Sequence, residues 1–149
     1  MLEPGDDAPE FSLPNQDGTE VALSAIDGEY TVVYFYPRAD TRGCTIEAKG
    51  FRDDWAAYEE AGVAVVGISD DPVADLEEFR EKYDLPFDLL SDEDGEVARA
   101  YDSFGEYDQG FEASFRNTFV VSDGEIVAVY EGVDPEGHAE EVLADLGLA

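Results

Sequence analysis

A single cysteine, a single histidine and eight basic residues are all that 149 positions supply of those types, and each shortage closes off a class of chemistry. One cysteine forms no internal disulfide, which agrees with a reducing compartment. It also excludes a C-x-x-C disulfide reductase, since Thr41 stands where the first cysteine would precede Cys44. One cysteine and one histidine do not make a metal centre, so neither metal nor cofactor is expected. The histidine, His138, falls near the start of the last helical segment and reads as a solvated helix residue rather than the base of a cysteine hydrolase. No apolar run nears the roughly 20 residues of a membrane span. Met1-Leu-Glu-Pro-Gly5 has neither the basic start nor the apolar stretch of a signal peptide, and the expected location is the cytoplasm.

Positive charge is the greatest shortage: 8 Lys and Arg stand against 38 Asp and Glu, for a formal charge of −30. Such a surface repels nucleic acid and anionic membranes alike. The acids are dispersed along the chain (Glu3, Asp6, Asp53, Glu77, Glu140) rather than gathered in a tail. At about 1 M salt the screening length is roughly 3 Å, and a uniformly acidic surface stops repelling itself. The composition therefore predicts a halophilic protein. Hydrophobic residues make up 44% and aromatic ones 12%, enough for a packed core. No repeat or low-complexity linker interrupts them, so residues 1–149 read as one domain.

The pattern of elements alternates. Phe11-Ser-Leu13 and Thr19 to Leu23 flank a Gly-bearing turn and predict an N-terminal hairpin. Thr31 to Tyr36 is a β-branched and aromatic run of the kind buried on both faces of a sheet, and Pro37 ends it. From Cys44, apolar residues recur at Ala48, Phe51, Trp55 and Tyr58, one helical stripe stopped by Gly62. Val63 to Ser69 is the next strand, and Asp71-Pro72 reads as the cap and first turn of a second helix. Leu85 to Leu90 is extended, Glu96 to Tyr101 a short helix, and residues 102–115 a loop without clean period. Asn117 to Val121 and Glu125 to Tyr130 form a hairpin, and Pro135 opens a final helix. The order predicts an α/β, thioredoxin-like fold: a mixed central sheet, helices on both faces, and Cys44 at the carboxyl end of a central strand, where ligands bind in open α/β sheets.

Cys44 sits in the one stretch that is not acidic. Between Arg38 and Arg52 lie four basic residues (Arg38, Arg42, Lys49, Arg52) and two acids (Asp40, Glu47), a local charge of +2. Cations and a helix N-terminus favour the thiolate, which is the nucleophilic form. A buried cysteine acting as a small apolar residue is the plain alternative; the local reversal of charge favours a reactive one.

Pro37-Arg-Ala-Asp-Thr41-Arg-Gly-Cys44 is similar to the P-x-x-x-T-x-x-C motif of peroxiredoxins. Tyr34-Phe-Tyr-Pro37 and Gly50-Phe-Arg-Asp53 resemble the Q-type, or bacterioferritin-comigratory, branch, as do Gly5 to Phe11, Leu85 to Asp92 and Arg116-Asn-Thr-Phe119. The resemblance runs from about Gly5 to the final hairpin. It implies a thiol-dependent peroxidase that reduces hydrogen peroxide and organic hydroperoxides. Cys44 is then the nucleophile, and Arg116 the group that holds the thiolate and donates to the peroxide, with a surface ion-pair arginine as the alternative. Thr41 points its hydroxyl into the same pocket, with a helix N-cap as the alternative; Pro37 shields the sulfur. The N–H groups of Gly43 and Cys44 receive a peroxide oxygen as helix starts receive anions. Glu47, one turn on, orients Arg116 or is an exposed helix acid.

Two departures bear on the cycle. Lys49 stands where many Q-type members carry a second, resolving cysteine, and Arg42 replaces a motif proline. Without a second cysteine, the Cys44 sulfenic acid must be reduced by an external thiol, either a thioredoxin-like protein or a small thiol. The expected assembly is a monomer or weak homodimer. The alternative from another class is a non-catalytic thioredoxin-fold redox sensor or binding protein, which would be oxidised once and stop.

Overall fold

Strict alternation inside an unbroken apolar run organises the sheet. In the computed structural model, which describes residues 2–107 and 110–147, the central strand is β3 (Tyr30–Phe35). Val32 and Tyr34, with Tyr36 just beyond, enter one core cluster; Val33 and Phe35 enter another on the opposite face. Every second side chain of a strand faces the same way, so this run has two buried sides and serves two cores.

Before β3 lie the short strands β1 (Ser12–Pro14) and β2 (Glu20–Ala22), paired antiparallel as the expected hairpin. After it come α1 (Arg42–Asp53), α2 (Trp55–Ala61), β4 (Val63–Ser69), α3 (Val73–Tyr83), β5 (Asp88–Ser91) and α4 (Glu96–Ala100). The chain closes with β6 (Phe104–Glu106), β7 (Glu112–Ser114), β8 (Thr118–Ser122), β9 (Glu125–Tyr130) and α5 (His138–Asp145). The main sheet has the order β5-β4-β3-β8-β9. β3 is parallel to β4 and antiparallel to β8, so the sheet is mixed, as expected. Residues from α1, α2, α3 and α5 (Phe51, Tyr58, Phe79, Val142) cover one face. Ala98 of α4, Tyr101 and the N-terminal Phe11 and Leu23 cover the other.

Three expectations are corrected. The stripe from Cys44 to Tyr58 is two helices, because the backbone at Asp54 departs from helical geometry (φ −95, ψ 8). Asp53 and Asp54 have short polar side chains that compete with the helical backbone, and the apolar spacing does not register the break. The loop expected over residues 102–115 contains the hairpin β6–β7, with Phe104 opposite Ser114 and Glu106 opposite Glu112. Its period is hidden by Gly105, where an added Cβ would stand 2.6 Å from the Phe115 ring; the glycine gives its place to that aromatic. The last helix begins at His138 rather than Pro135, after Gly137 in the left-handed region (φ 75). No helix among the described residues is long and apolar enough to cross a membrane.

Candidate active site

The turn after β3 and the first turn of α1 bring Cys44 to the carboxyl edge of the two central parallel strands. Pro37 stops the strand, Asp40 takes a left-handed backbone (φ 60) to reverse the chain, and Thr41 is the extended residue from which α1 starts. Apolar Ala48 and Phe51 on the same helix face anchor the segment in the core. Cys44 is consequently buried, at 1% exposure, and free of any disulfide.

Arg116 arrives from between β7 and β8. Its Nη2 donates to the Cys44 Sγ at 3.4 Å, and its Nη1 donates to Glu47 Oε1 at 2.9 Å. Two features hold it there. Its carbonyl accepts the Val133 N–H at 2.8 Å. The neighbouring Asn117, which is buried, accepts from the Gly132 N–H through Oδ1 and donates to Ser103 Oγ through Nδ2. Asn117 was not singled out from the sequence, where an asparagine beside a basic residue looks like any strand-end polar group.

Gly43 provides space for this approach. A Cβ there would lie 2.8 Å from Arg116 Nη2, so the guanidinium occupies the volume a side chain would fill. Its N–H and that of Cys44 lie in the first turn of α1, and Thr41 makes no side-chain cap to that turn. Thr41 thus holds the N-cap position of α1 without capping it through its side chain. Its hydroxyl donates instead to the Arg38 carbonyl at 2.8 Å, which leaves its lone pairs to accept a further bond.

Glu47 is 1% exposed, not an exposed helix acid. Burial pushes its pKa up to about 7, and the contact with Arg116 only partly offsets this. Oε2 has no hydrogen-bond partner among the described residues. For Arg116, burial opposes the charge, but Cys44 and Glu47 together outweigh it and raise the pKa. The guanidinium therefore stays charged between two acceptors.

A cavity of about 580 Å³ opens beside this cluster, lined by Pro37, Tyr107, Phe115, Arg116, Asn117 and Val133 among others. It reaches the guanidinium, and the sulfur lies one contact deeper. A second cavity, of about 500 Å³, lies at the other end of the strands between Trp55, Val63 and Phe87, and neither Cys44 nor Arg116 lines it.

No hydrogen bond from the four cations of the basic window to the sulfur is found; the bond to Sγ comes from Arg116. Arg38 faces Asp70 and Asp71 at 3.8 and 3.7 Å, Arg52 bonds the Tyr83 carbonyl and Asp53, and Lys49 lies over the Tyr83 ring at 5.9 Å. Arg42 is exposed. His138 is a correction: it is buried rather than solvated, with Nε2 2.9 Å from Thr118 Oγ1 and Nδ1 3.0 Å from Glu141. Burial lowers its pKa, and it ties α5 to β8 away from the sulfur. No group of three or more metal-ligating side chains exists among the described residues.

Comparison with known proteins places this geometry among relatives. Residues 4–129 match the AhpC/TSA family. Peroxiredoxin Bcp of Escherichia coli K12 is 42% identical, over 95% of this chain and 94% of that protein. The crystal structure of peroxidoxin BcpB from Mycobacterium tuberculosis superposes with a TM-score of 0.91 at 36% identity, covering 99% of this chain and 97% of that one. A Xanthomonas campestris bacterioferritin comigratory protein, solved to address its alkyl peroxide reduction activity, gives a TM-score of 0.86 at 33% identity over 92% and 90% of the two chains.

Proposed function

Because the chain belongs to the AhpC/TSA family and is a thiol-dependent peroxidase of the peroxiredoxin Bcp and Q kind, we propose that Cys44 is its peroxidatic nucleophile and Arg116 the principal electrostatic catalyst. The observation that carries this reading is the single guanidinium shared between the Cys44 sulfur at 3.4 Å and the Glu47 carboxylate at 2.9 Å. In the first step the thiolate lone pair attacks one peroxide oxygen, the S–O bond forms, and the O–O bond breaks. The leaving oxygen departs with the electron pair and takes a proton from solvent, giving Cys44 sulfenic acid and an alcohol or water. Raising the thiolate fraction gains at most roughly 30-fold over an ordinary cysteine. A donor aimed at the developing charge is worth about 10²–10³, and Arg116 is the side chain placed to supply it.

Thr41 and the N–H groups of Gly43 and Cys44 receive the peroxide, Pro37 walls the pocket, and Glu47 holds the guanidinium in plane. The aromatic wall of Tyr107 and Phe115 suits the organic group of a hydroperoxide as well as hydrogen peroxide itself. With one cysteine in the chain, an external thiol displaces the sulfenic hydroxyl as water to give a mixed disulfide, and a second thiol releases Cys44. That reductant is a small thiol or a thioredoxin-like protein. We take residues 1–149 as one domain, working in the cytoplasm as a monomer or weak homodimer. Steady peroxide consumption with added thiol tests the assignment: Cys44→Ser should abolish it while the fold survives, and retained turnover would remove Cys44 from the mechanism.

A further inference from the structure

A buried carboxylate that the mechanism does not use stands behind the turn that carries Thr41. Asp71, just past the end of β4, is 4% exposed. Its sequence reads as the cap of α3, yet the N-cap position is Pro72 and no side chain caps that helix. The Asp71 Oδ2 instead accepts the Ala39 N–H at 2.6 Å and the Ser69 hydroxyl at 2.7 Å. The Asp71 carbonyl accepts the Ser91 hydroxyl at 2.7 Å. The carboxylate is thus fixed from β4 and from β5, and Arg38 Nε faces its other oxygen at 3.7 Å.

The Ala39 N–H and the Arg38 C=O belong to one planar peptide unit, and they point in opposite directions from it. The first is held by Asp71, and the second accepts the Thr41 hydroxyl at 2.8 Å. Asp40, the strained residue of the same turn, is tied down separately by Lys82 Nζ at 2.8 Å and Tyr83 Oη at 2.7 Å. Fixing one end of a rigid plane fixes the other. A carboxylate on the N–H also polarises the peptide, so its carbonyl becomes a stronger acceptor and the hydroxyl bonded to it a stronger acceptor in turn.

We propose that Asp71 is a positioning residue for peroxide reduction: through the Arg38–Ala39 peptide it keeps the Thr41 proton on the Arg38 carbonyl and the Thr41 lone pairs free to accept the peroxide O–H. The Ser69 hydroxyl, as second donor to the same oxygen, fixes the rotation of the carboxylate. The inference rests on the reading above, in which Cys44 reacts and Thr41 receives the peroxide.

The test is a double-mutant cycle between Asp71→Asn and Thr41→Val, with the second-order rate of Cys44 oxidation by peroxide as readout. Asp71→Asn is close to isosteric and keeps one oxygen for Ala39, but loses the charge that makes such bonds about twice as strong. It should slow oxidation about tenfold while leaving alkylation of Cys44 by iodoacetamide at the wild-type rate, because the Thr41 hydroxyl serves the peroxide and not the sulfur. In the Thr41→Val background the same change should cost nothing further. Oxidation at the wild-type rate in Asp71→Asn, an equal loss in both backgrounds, or a parallel loss of alkylation would each overturn the role. If Asp71→Asn does not fold, Thr41→Val alone decides. Removing the hydroxyl from one end of the peptide must shift the Ala39 amide proton resonance at the other end, and an unmoved resonance overturns the coupling. Failure of the underlying reading looks different, namely turnover in Cys44→Ser or a Thr41→Val variant as fast as wild type.

Discussion

Gly43→Ala separates catalysis from stability, because the structure assigns the two effects opposite signs. The new Cβ would lie 2.8 Å from Arg116 Nη2 and 3.5 Å from its Cζ, with Pro135 Cγ at an ordinary 3.8 Å. The first contact is about 0.7 Å inside the roughly 3.5 Å at which non-bonded heavy atoms sit comfortably. The obstructing atom is the far end of a flexible side chain, so the guanidinium withdraws and the backbone stays. A withdrawal of that size carries Nη2 from 3.4 Å to about 4 Å from the sulfur, where the hydrogen bond is lost although the Coulomb attraction, falling as 1/r, drops by only about a sixth. A misplacement of about 1 Å costs up to about 10² in rate, so peroxide oxidation should slow by at least about tenfold. Stability should move the other way. Gly43 lies inside α1 without a positive φ, where alanine is favoured by up to about 1 kcal/mol. Stopped-flow oxidation of Cys44 and denaturant melts, run on the same preparation, read the two quantities. A variant that oxidises within a factor of two of wild type would refute the claim that the Arg116 position depends on this glycine.

Three further outcomes follow from the site and the surface. Glu47 titrates near 7 when folded and near 4.3 when unfolded, so between those values the folded state holds a proton the unfolded state lacks, and stability falls as pH rises. Glu47→Gln removes this loss; its stability relative to wild type should improve by up to about 3 kcal/mol between pH 5 and pH 8, and a pH-independent difference would contradict the burial argument. Peroxide without thiol should add one or two oxygens to Cys44, the sulfenic and sulfinic states, by mass spectrometry; a predominant Cys44–Cys44 dimer would mean that two subunits resolve each other. Melting temperature should rise steeply from dilute buffer to multimolar potassium chloride, because 38 acids face 8 bases and the screening length shrinks to a few ångströms; an unchanged melt rejects the halophilic reading.

The parts of the fold that were legible in the sequence are those set by period. Thr31 to Tyr36 alternates between two cores, and Val63 to Ser69 pairs beside it. The motif around Cys44 and the segment at Arg116 pointed to one another across 72 positions, and the structure joins them by a hydrogen bond. What stayed hidden depends on who meets whom across the chain. His138 is polar and near a helix start, which suggests water; only the packing of Phe51 and Tyr130 against its ring makes it an interior residue. Gly105 breaks the alternation of β6 because Phe115, ten residues on, takes the space. Asp71 looks like a cap in its own segment, and its partner Ala39 is 32 residues away. The basic window surrounds Cys44 in sequence, yet the cation that bonds its sulfur in the structure, Arg116, lies outside that window.

The covering over Cys44 also governs access. With 1% of the residue exposed, a thiol as large as a protein side chain finds no line of approach to the sulfur while α1 is wound. That first turn is closed by no side-chain cap, and helix ends open at lower free energy than the helix body. The burial of the sulfur thus acts as a sieve by size: a reagent bulkier than a peroxide reaches Cys44 only where that turn unwinds.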